Sequence, residues 1–393
     1  MKKTKIAIFT ATADVFTNPT LVSFLELLQE KNIDVLLFSY EQAIAAPSYF
    51  KNITYHFLPP LRQNFEGIKN SISSFRIYLN AIKILKSNSV IHMFGVDYYG
   101  FVVAARLKRF ISKSQLSYFS FELLFLDEIT DPKYITLKKK EKNYLKAMDN
   151  LIIQDDARLD LFLNENNLKK PHHFKVFKIP VAPKKIAMEH IVGVNLHALM
   201  NIPAEKKIMA YSGSIGDWAG TEQLLDLLEK HWNEKFWLVI HSRLPLQVND
   251  IYHIRIKKLI AEGYPISLHA NPFDNYLDYA AFLKNVDVAI VLYKSKPGSM
   301  YFGKNLQEIG LASGKFSMYL MMGIPVITSN QQSYVQLLKK FNFGGVILRD
   351  NEFPQLLERC IVNKSSMHER ALQLYDAVLE PQKQLLSLID TIN

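Results

Sequence analysis

Short apolar runs alternate with amphipathic helical patterns along the first half of the chain. The apolar runs predict strands over residues 5–10, 33–39, 53–57, 89–94, 115–121 and 150–154. The patterns between them predict helices over residues 20–31, 66–86, 99–111 and 133–148. Because these strands are apolar without strict alternation, they predict a parallel sheet that is covered by helices on both faces.

The second half repeats this rhythm after a connecting segment, residues 175–184, that contains two prolines. Strands are predicted over residues 207–211, 236–241, 266–268, 286–292, 326–328 and 345–348. Helices are predicted over residues 221–231, 250–262, 275–285, 352–362 and 365–392. A chain of 393 residues is long for one domain, so we expect two α/β domains. In such folds, ligands bind beyond the carboxyl ends of the strands.

Residues 305–330, NLQEIGLASGKFSMYLMMGIPVITSN, contain the clearest candidate for a binding site. Ser313 and Gly314 form a small-residue turn, Lys315 opens an apolar helix, and Gly323 ends that helix. Backbone N–H groups, the positive end of a helix and an ammonium group therefore meet in one place, which favours an anion such as phosphate. The alternative is a buried helix with one lysine that reaches solvent.

Other candidates follow the remaining strands of the second half. Gly213 and Ser214 lie in a glycine-rich loop, where the backbone can approach a ligand closely. Arg243 follows a strand and can grip two phosphate oxygens, although an exposed loop arginine is the commoner case. Asn271 and Phe273 offer backbone groups and an aromatic face to a nucleobase, and Tyr293 ends the next strand.

In the first half, acidic and imidazole side chains stand near strand ends. Glu122 follows one predicted strand directly, while His92 and Asp97 bracket the end of another. A group of this kind can deprotonate the hydroxyl of an acceptor, so we take these three residues as catalytic candidates. The alternatives are turn or capping roles, and for His92 a hydrogen-bonded position in the core.

Composition and charge narrow the class of protein. Hydrophobic residues make up 49% and charged residues 21%, as in folded domains, and Cys360 is the only cysteine, which excludes an intrachain disulfide. Residues 1–182 hold 25 Lys and Arg against 17 Asp and Glu, which accounts for +8 of the net charge of +10. This basic half predicts contact with the inner-membrane surface, or a solvated face without a partner. No nucleic-acid motif and no apolar run of about 20 residues occurs, so we expect a cytoplasmic protein without nucleic-acid partners.

Several motifs together resemble the two-domain GT-B glycosyltransferases. They are IPVAP, YSGSIGDWAGTEQLL, KNVDVAIVLY and SGKFSMYLMMGIPVITS, and the likeness extends over the whole chain. The chain is most similar to family-four-like bacterial enzymes, in a branch with galactofuranosyl- and glucosyltransferases. The resemblance implies a GT-B fold, with two Rossmann-like doubly wound domains that face each other across a cleft. Residues 1–180 would bind the acceptor, residues 181–370 would bind the nucleotide-sugar, and residues 371–393 would form a helix that crosses back.

The resemblance also assigns residues. It implies that Lys315 and Arg243 contact the diphosphate, and it matches Glu122 to an acid at the end of a first-domain strand, so we expect Glu122 to be the acceptor-side base. It suggests that Gly213 and Ser214 line the cleft near the phosphates or the transferred sugar. Ser313, Gly314 and Tyr319 are our further candidates for the donor site. One departure is clear, because Gly310 and Met318 stand where retaining members carry two glutamates, and Glu308 lies two residues early.

We therefore expect a metal-independent glycosyltransferase of bacterial surface polysaccharide biosynthesis. Its co-substrate would be a UDP-linked nucleotide-sugar, with no further cofactor, and its acceptor a glycan or a lipid-linked oligosaccharide. A nucleotide-sugar epimerase or hydrolase on the same fold is one alternative. A non-catalytic glycan-binding or partner subunit is the other, since the two glutamates are missing. The sequence leaves open whether the reaction retains or inverts the sugar configuration.

Overall fold

The computed structural model describes residues 4–11, 13–40, 47–58, 68–111, 113–169, 173–243 and 247–392. The chain divides into two compact units, and both are discontinuous in sequence. Unit 1 comprises Met1–Lys184, Pro297–Asn305 and Pro381–Asn393. Unit 2 comprises Lys185–Lys296 and Leu306–Glu380.

Unit 1 contains a parallel sheet of seven strands in the order β3-β2-β1-β4-β5-β6-β7. Its strands are β1 (Lys5–Thr10), β2 (Asp34–Ser39), β3 (Ile53–Phe57), β4 (His92–Val96), β5 (Gln115–Phe119), β6 (Asn150–Ile153) and β7 (Lys175–Lys178). The central strands are almost entirely buried because helices cover both faces, as the apolar runs predicted. The last strand lies in the segment interpreted as a connector. It is an edge strand with two exposed lysines, and its pattern is correspondingly weak.

Five helices connect these strands: α1 (Pro19–Glu30), α2 (Ile68–Ser87), α3 (Asp97–Lys108), α4 (Pro132–Tyr144) and α5 (Asp156–Glu165). Helix α3 lies very close to β1, because Gly100 has no side chain. A Cβ atom at Gly100 would stand 2.1 Å from the carbonyl oxygen of Phe9. This close approach positions the first turn of α3 at the carboxyl edge of the sheet.

Unit 2 contains a parallel sheet of six strands in the order β10-β9-β8-β11-β12-β13. Its strands are β8 (Lys207–Ser212), β9 (Phe236–His241), β10 (Ile266–His269), β11 (Val288–Val291), β12 (Val326–Thr328) and β13 (Gly344–Val346). All six were predicted from the sequence: the bounds of β9 and β12 match, and the ends of the other four differ by at most two residues. Their buried side chains form the core of the unit together with the leucines of the amphipathic helix Thr221–Lys230.

The helices of the second half are α6 (Leu196–Met200), α7 (Thr221–Lys230), α8 (Ile251–Ala261), α9 (Tyr276–Leu283), α10 (Lys304–Gln307), α11 (Gly314–Met321), α12 (Gln332–Phe341), α13 (Phe353–Val362) and α14 (Lys364–Leu374). The single helix predicted over residues 365–392 is divided in the structure. A π-helix, Tyr375–Leu379, follows α14, and the chain leaves helical geometry at Glu380, before Pro381. Helix α15 (Gln382–Ile389) then packs on α1 and β7 within unit 1.

The segment Pro297–Asn305 belongs to unit 1 although its sequence neighbours belong to unit 2. The Asn305 side chain makes two hydrogen bonds to the backbone of Leu123, at 3.0 and 2.7 Å. The Glu128 carboxylate accepts the backbone N–H of Lys304. Arg158, which is fully buried, donates to the carbonyl oxygens of Asn305 and Phe121. These contacts fix the segment on the carboxyl side of the unit 1 sheet.

Among the helices of the described residues, none is both long enough and apolar enough to cross a lipid bilayer.

Candidate functional site

In unit 2, the start of α11 forms a positively charged site. Ser313 caps the helix, with its Oγ accepting the N–H of Phe316 at 3.3 Å, and the Tyr293 hydroxyl lies 2.7 Å from the same Oγ. The N–H groups of a first helical turn have no intrahelical acceptors, and the helix dipole adds positive potential there. Lys315 lies in this turn. The predicted arrangement of turn, helix start and lysine is therefore present.

The Lys315 ammonium group lies between two aromatic rings. Its Nζ is 4.7 Å from the centroid of the Tyr211 ring and 4.7 Å from that of Tyr293. Burial lowers the pKa of Lys315 to about 7. Among the described residues, no carboxylate pairs with this ammonium and no oxygen accepts a hydrogen bond from it. A desolvated cation without a counter-charge provides a strong local preference for an anion.

The backbone of Gly213 lies close to the Lys315 side chain, because glycine has no side chain of its own. Gly213 has a φ of 139°, and a Cβ atom there would lie 3.7 Å from the Lys315 Cδ. The Tyr211 hydroxyl donates to the Ser214 carbonyl at 2.7 Å. The Tyr319 hydroxyl accepts the N–H of Ser212 at 2.7 Å and so joins α11 to the end of β8. The predicted donor residues in this loop and helix thus lie together.

Arg243 lies at the same edge of the sheet. It stands two residues beyond His241, which is the register partner of Ser212, and its side chain is exposed. In the described part of the chain, no side chain forms an ion pair with it. Arg243, just past the end of β9, and Lys315, in the first turn of α11, are therefore two cations without carboxylate partners among the described residues.

A histidine pair that was not predicted from the sequence lies beside the predicted base-binding residues. The Nδ1 atoms of His241 and His269 are 3.1 Å apart at the ends of β9 and β10, and Phe273 stacks on the His269 ring at 5.3 Å. Burial, followed by the neighbouring His269, lowers the pKa of His241 to about 4. Phe273 is therefore part of an aromatic cluster, and Asn271 is exposed two residues before it. The signal in the sequence that could have predicted this pair is that His241 and His269 stand at the ends of two consecutive strands.

Unit 1 has a cavity of about 440 Å³ at the carboxyl edge of its sheet. Two acids from the strand ends, Asp97 and Glu122, line one part of it. The other lining residues include Thr10, Asn18, Tyr98, Tyr99, Phe121, Lys133, Tyr134, Leu137, Lys140 and Tyr301. A cavity at this edge with a few acidic and hydroxyl groups is the expected place for a ligand in a parallel α/β fold.

Asp97 occupies a strained position in this cavity. It is the first residue of α3 and has a φ of 51°, which is uncommon outside glycine and asparagine. Its Oδ1 accepts the N–H groups of Phe121 and Glu122, at 2.8 and 2.9 Å. Burial and the neighbouring Glu122 charge raise the pKa of Asp97 to about 7, against these two hydrogen bonds and Arg158. A carboxylate with a pKa near neutrality is suited to general base catalysis.

Glu122 and His92 have different surroundings. Glu122 is open to solvent within the cavity, yet the surrounding protein reduces its hydration and raises its pKa, while Arg158 acts in the opposite direction. His92 is not brought to the cavity, because it begins β4 and therefore lies at the amino edge of the sheet. Its Nε2 is 2.7 Å from Ser117 Oγ, and burial lowers its pKa to about 4.

No protein-family model matches this chain, and no curated protein matches its sequence. Solved structures match it over nearly its whole length. A glycosyltransferase from Rickettsia africae has a TM-score of 0.71 at 11% identity, covering 100% of this chain and 98% of its own. Sucrose-phosphate synthase from Thermosynechococcus elongatus has a TM-score of 0.68 at 13% identity, covering 99% and 98%. Anabaena HepE in complex with UDP-glucose has a TM-score of 0.66 at 13% identity, covering 98% and 99%.

This chain has the GT-B fold. The likeness at such low identity concerns the fold, and the two parallel-sheet α/β units agree with it.

Proposed function

We propose that the protein is a glycosyltransferase that takes its sugar from a nucleoside diphosphate-sugar. The observation that carries this proposal is the Lys315 ammonium, which is desolvated, lies at a helix start and has no carboxylate partner among the described residues. A diphosphate supplies the missing charge. The UDP-glucose complex of HepE, which shares the fold, supports a UDP-linked donor.

The proposal divides the reaction between the two units. In unit 2, Lys315, Arg243 and the first turn of α11 bind the diphosphate. In unit 1, the cavity binds the acceptor and Asp97 is the base. The bond between the sugar C1 and the diphosphate oxygen breaks, and its electron pair leaves with the diphosphate. The acceptor oxygen bonds to C1, and its proton passes to Asp97. Asp97 is proposed as the base because its carboxyl group lines the cavity at the sheet edge and its pKa is raised to about 7.

Stabilisation of the leaving group is electrostatic in this proposal. Fixed positive groups that face a developing negative charge reduce the barrier without rearranging during the reaction. Lys315 and Arg243 would serve in the role that a divalent metal has in other transferases, so metal independence is part of the proposal. The proposal also includes an acceptor that is a surface glycan or a lipid-linked oligosaccharide. It further includes contact of the protein with the inner-membrane face. They rest on the resemblance of the motifs and on the net charge of +8 in residues 1–182.

A screen of donors followed by product analysis tests the function. Melting temperatures are measured with UDP-, GDP-, CDP- and dTDP-sugars, because a ligand that binds the folded state raises the melting temperature. We expect UDP-sugars to raise the melting temperature. We also expect release of UDP that depends on the acceptor, as measured by chromatography. UDP release with an altered sugar and no acceptor would indicate a hydrolase or epimerase instead. Binding without turnover across cell-extracted glycolipid acceptors would indicate a non-catalytic subunit, and no shift with any nucleotide would reject the donor site.

Binding of UDP should depend on pH through Lys315. Because the pKa of the free folded protein's lysine is about 7, it is largely neutral at pH 8.5, and a bound diphosphate raises that pKa. UDP binding should therefore take up a proton at pH 8.5, and the affinity should fall between pH 7 and pH 9. Calorimetry in two buffers of different ionisation enthalpy measures this uptake. Equal binding enthalpies in both buffers would show that Lys315 does not change protonation.

The same pKa has a consequence for the free protein. Since the folded pKa is about 7 and the ordinary value is 10.5, the unfolded chain binds more protons between these values. The contribution of Lys315 to stability therefore increases as pH rises from 7 to 10.5. Lys315→Met should remove this increase in denaturant titrations at pH 7 and pH 9.

A further inference from the structure

Two lysines of the unit 1 cavity lie on one face of α4. Lys133 and Lys140 both line the cavity and are seven residues apart, which is close to two helical turns. Lys139, next to Lys140, is exposed and does not line the cavity. Lys140 is half-buried, and no described residue accepts a hydrogen bond from it or forms an ion pair with it.

The position of Lys133 adds to the positive character of this wall. Lys133 lies in the first turn of α4, where the Asp131 side chain caps the helix by accepting the Lys133 N–H at 2.8 Å. The positive end of the helix dipole therefore lies beside Lys133, where the Asp131 side chain caps it. The carboxylates of Asp97 and Glu122 line the same cavity. Cations from the helix and acids from the sheet edge thus meet in one cavity.

Three tyrosines form an aromatic surface in the cavity. The hydroxyls of Tyr98 and Tyr301 are 2.7 Å apart, and the Tyr134 ring stands edge-on to each of theirs, with centroids 6.3 Å away in both cases. Rings of this kind can pack against the C–H face of a sugar ring. Tyr301 reaches this place on the segment Pro297–Asn305.

We propose that unit 1 binds an acceptor sugar that carries an anionic group, a phosphate or a carboxylate. Lys140 and Lys133 contact the anion, the tyrosines contact the sugar ring, and the reactive hydroxyl faces Asp97. This inference rests on the proposed transfer reaction and adds the chemical class of the acceptor. A neutral acceptor uses the acids and the rings but leaves Lys140 without a hydrogen-bond or ion-pair partner among the described residues.

Matched acceptor pairs test the inference with UDP-glucose as donor. The pairs are N-acetylglucosamine against its 1-phosphate, and methyl glucoside against methyl glucuronide. We expect the wild-type enzyme to have a lower KM for the anionic member. Lys140→Ala should raise the KM for the anionic member about 10- to 100-fold, as for loss of one hydrogen bond to a charged group, with little change in kcat. The KM for the neutral member should change little.

Lys139→Ala is the matched control, since it removes the same charge from the same helix but outside the cavity. An equal KM for both members of each pair in the wild type, or an equal rise for both in Lys140→Ala, would overturn the inference. The phosphate and carboxylate pairs show which anion is preferred. An N-acetylglucosaminyl phosphate with an alkyl chain distinguishes a lipid-linked acceptor from a free sugar phosphate.

Ligand-observed NMR without a donor separates this inference from the proposed function. If no donor supports transfer, but N-acetylglucosamine 1-phosphate binds the wild type and Lys139→Ala and not Lys140→Ala, the anion site stands and the transfer proposal fails. If transfer proceeds with no preference for anionic acceptors, the transfer proposal stands and the anion site fails. Absence of binding by both N-acetylglucosamine probes would also count against the anion site.

Discussion

Lys315→Ala should weaken UDP binding about 10- to 100-fold, because one or more charge-assisted hydrogen bonds of about 1.5–3 kcal/mol are lost. The effect should be large since the ammonium lies between the Tyr211 and Tyr293 rings, which limit access of water that could replace it. Calorimetric titration with UDP at pH 7 measures the change. The same substitution should lower turnover, since the departing diphosphate loses its nearest cation.

The folded protein should tolerate this change, which separates a loss of binding from a loss of structure. Removal of a desolvated ammonium leaves no carboxylate without its partner among the described residues, so the melting temperature without ligand should be equal or higher. Lys339→Ala, at an exposed position of α12, is the control for net charge. An unchanged UDP affinity in Lys315→Ala would remove the diphosphate from this site.

Asp97→Asn should lower kcat by about 10²- to 10⁴-fold, the usual contribution of a general base, with UDP affinity unchanged. Asparagine accepts the left-handed backbone of this position and retains an oxygen for the N–H groups of Phe121 and Glu122. The substitution therefore removes the basic group and keeps the local structure. Initial rates with saturating donor and acceptor measure the loss.

The pH profile assigns the loss to Asp97. With saturating donor, whose diphosphate keeps Lys315 protonated, the wild-type kcat should rise with pH to a plateau as Asp97 loses its proton, and Asp97→Asn should abolish this rise. The stability of the fold should change with pH in the opposite direction to the rate. Between pH 3.8 and about 7 the folded state binds more protons at Asp97 than the unfolded chain does, so the contribution of Asp97 to stability decreases as pH rises through that range. If Glu122→Gln caused the larger loss of kcat, the base would be Glu122.

The positions of the strands along the chain were largely predictable, since buried parallel strands need continuous apolar runs. The failures occur where tertiary contacts outweigh the local pattern. The strand Lys175–Lys178 is an edge strand with lysines at both ends, so its sequence has no clear apolar run. The helical period over residues 365–392 continues across Pro381, yet the chain breaks there and its two parts pack in different units.

The surroundings of the candidate site were only partly predictable. Ser313, Gly314 and Lys315 are consecutive, so their meeting at a helix start could be inferred from sequence alone. The two rings beside Lys315 come from residues 82 positions apart, at the ends of different strands, and only the fold brings them together. The raised pKa of Asp97 likewise depends on the fold. β4 extends to Val96 and so places Asp97 at the sheet edge, where burial raises its pKa.

The discontinuity of unit 1 determines the order in which the chain can finish folding during synthesis. Residues 1–184 are translated before unit 2, but Asn305, which bonds to Leu123, is translated after residues 185–296, and α15, which packs on α1, after residue 380. Unit 2 lacks no segment once residue 380 has emerged. The part of the protein that is made first is therefore completed last, and a fragment that ends at residue 184 would lack both its tyrosine from the later segment and its closing helix.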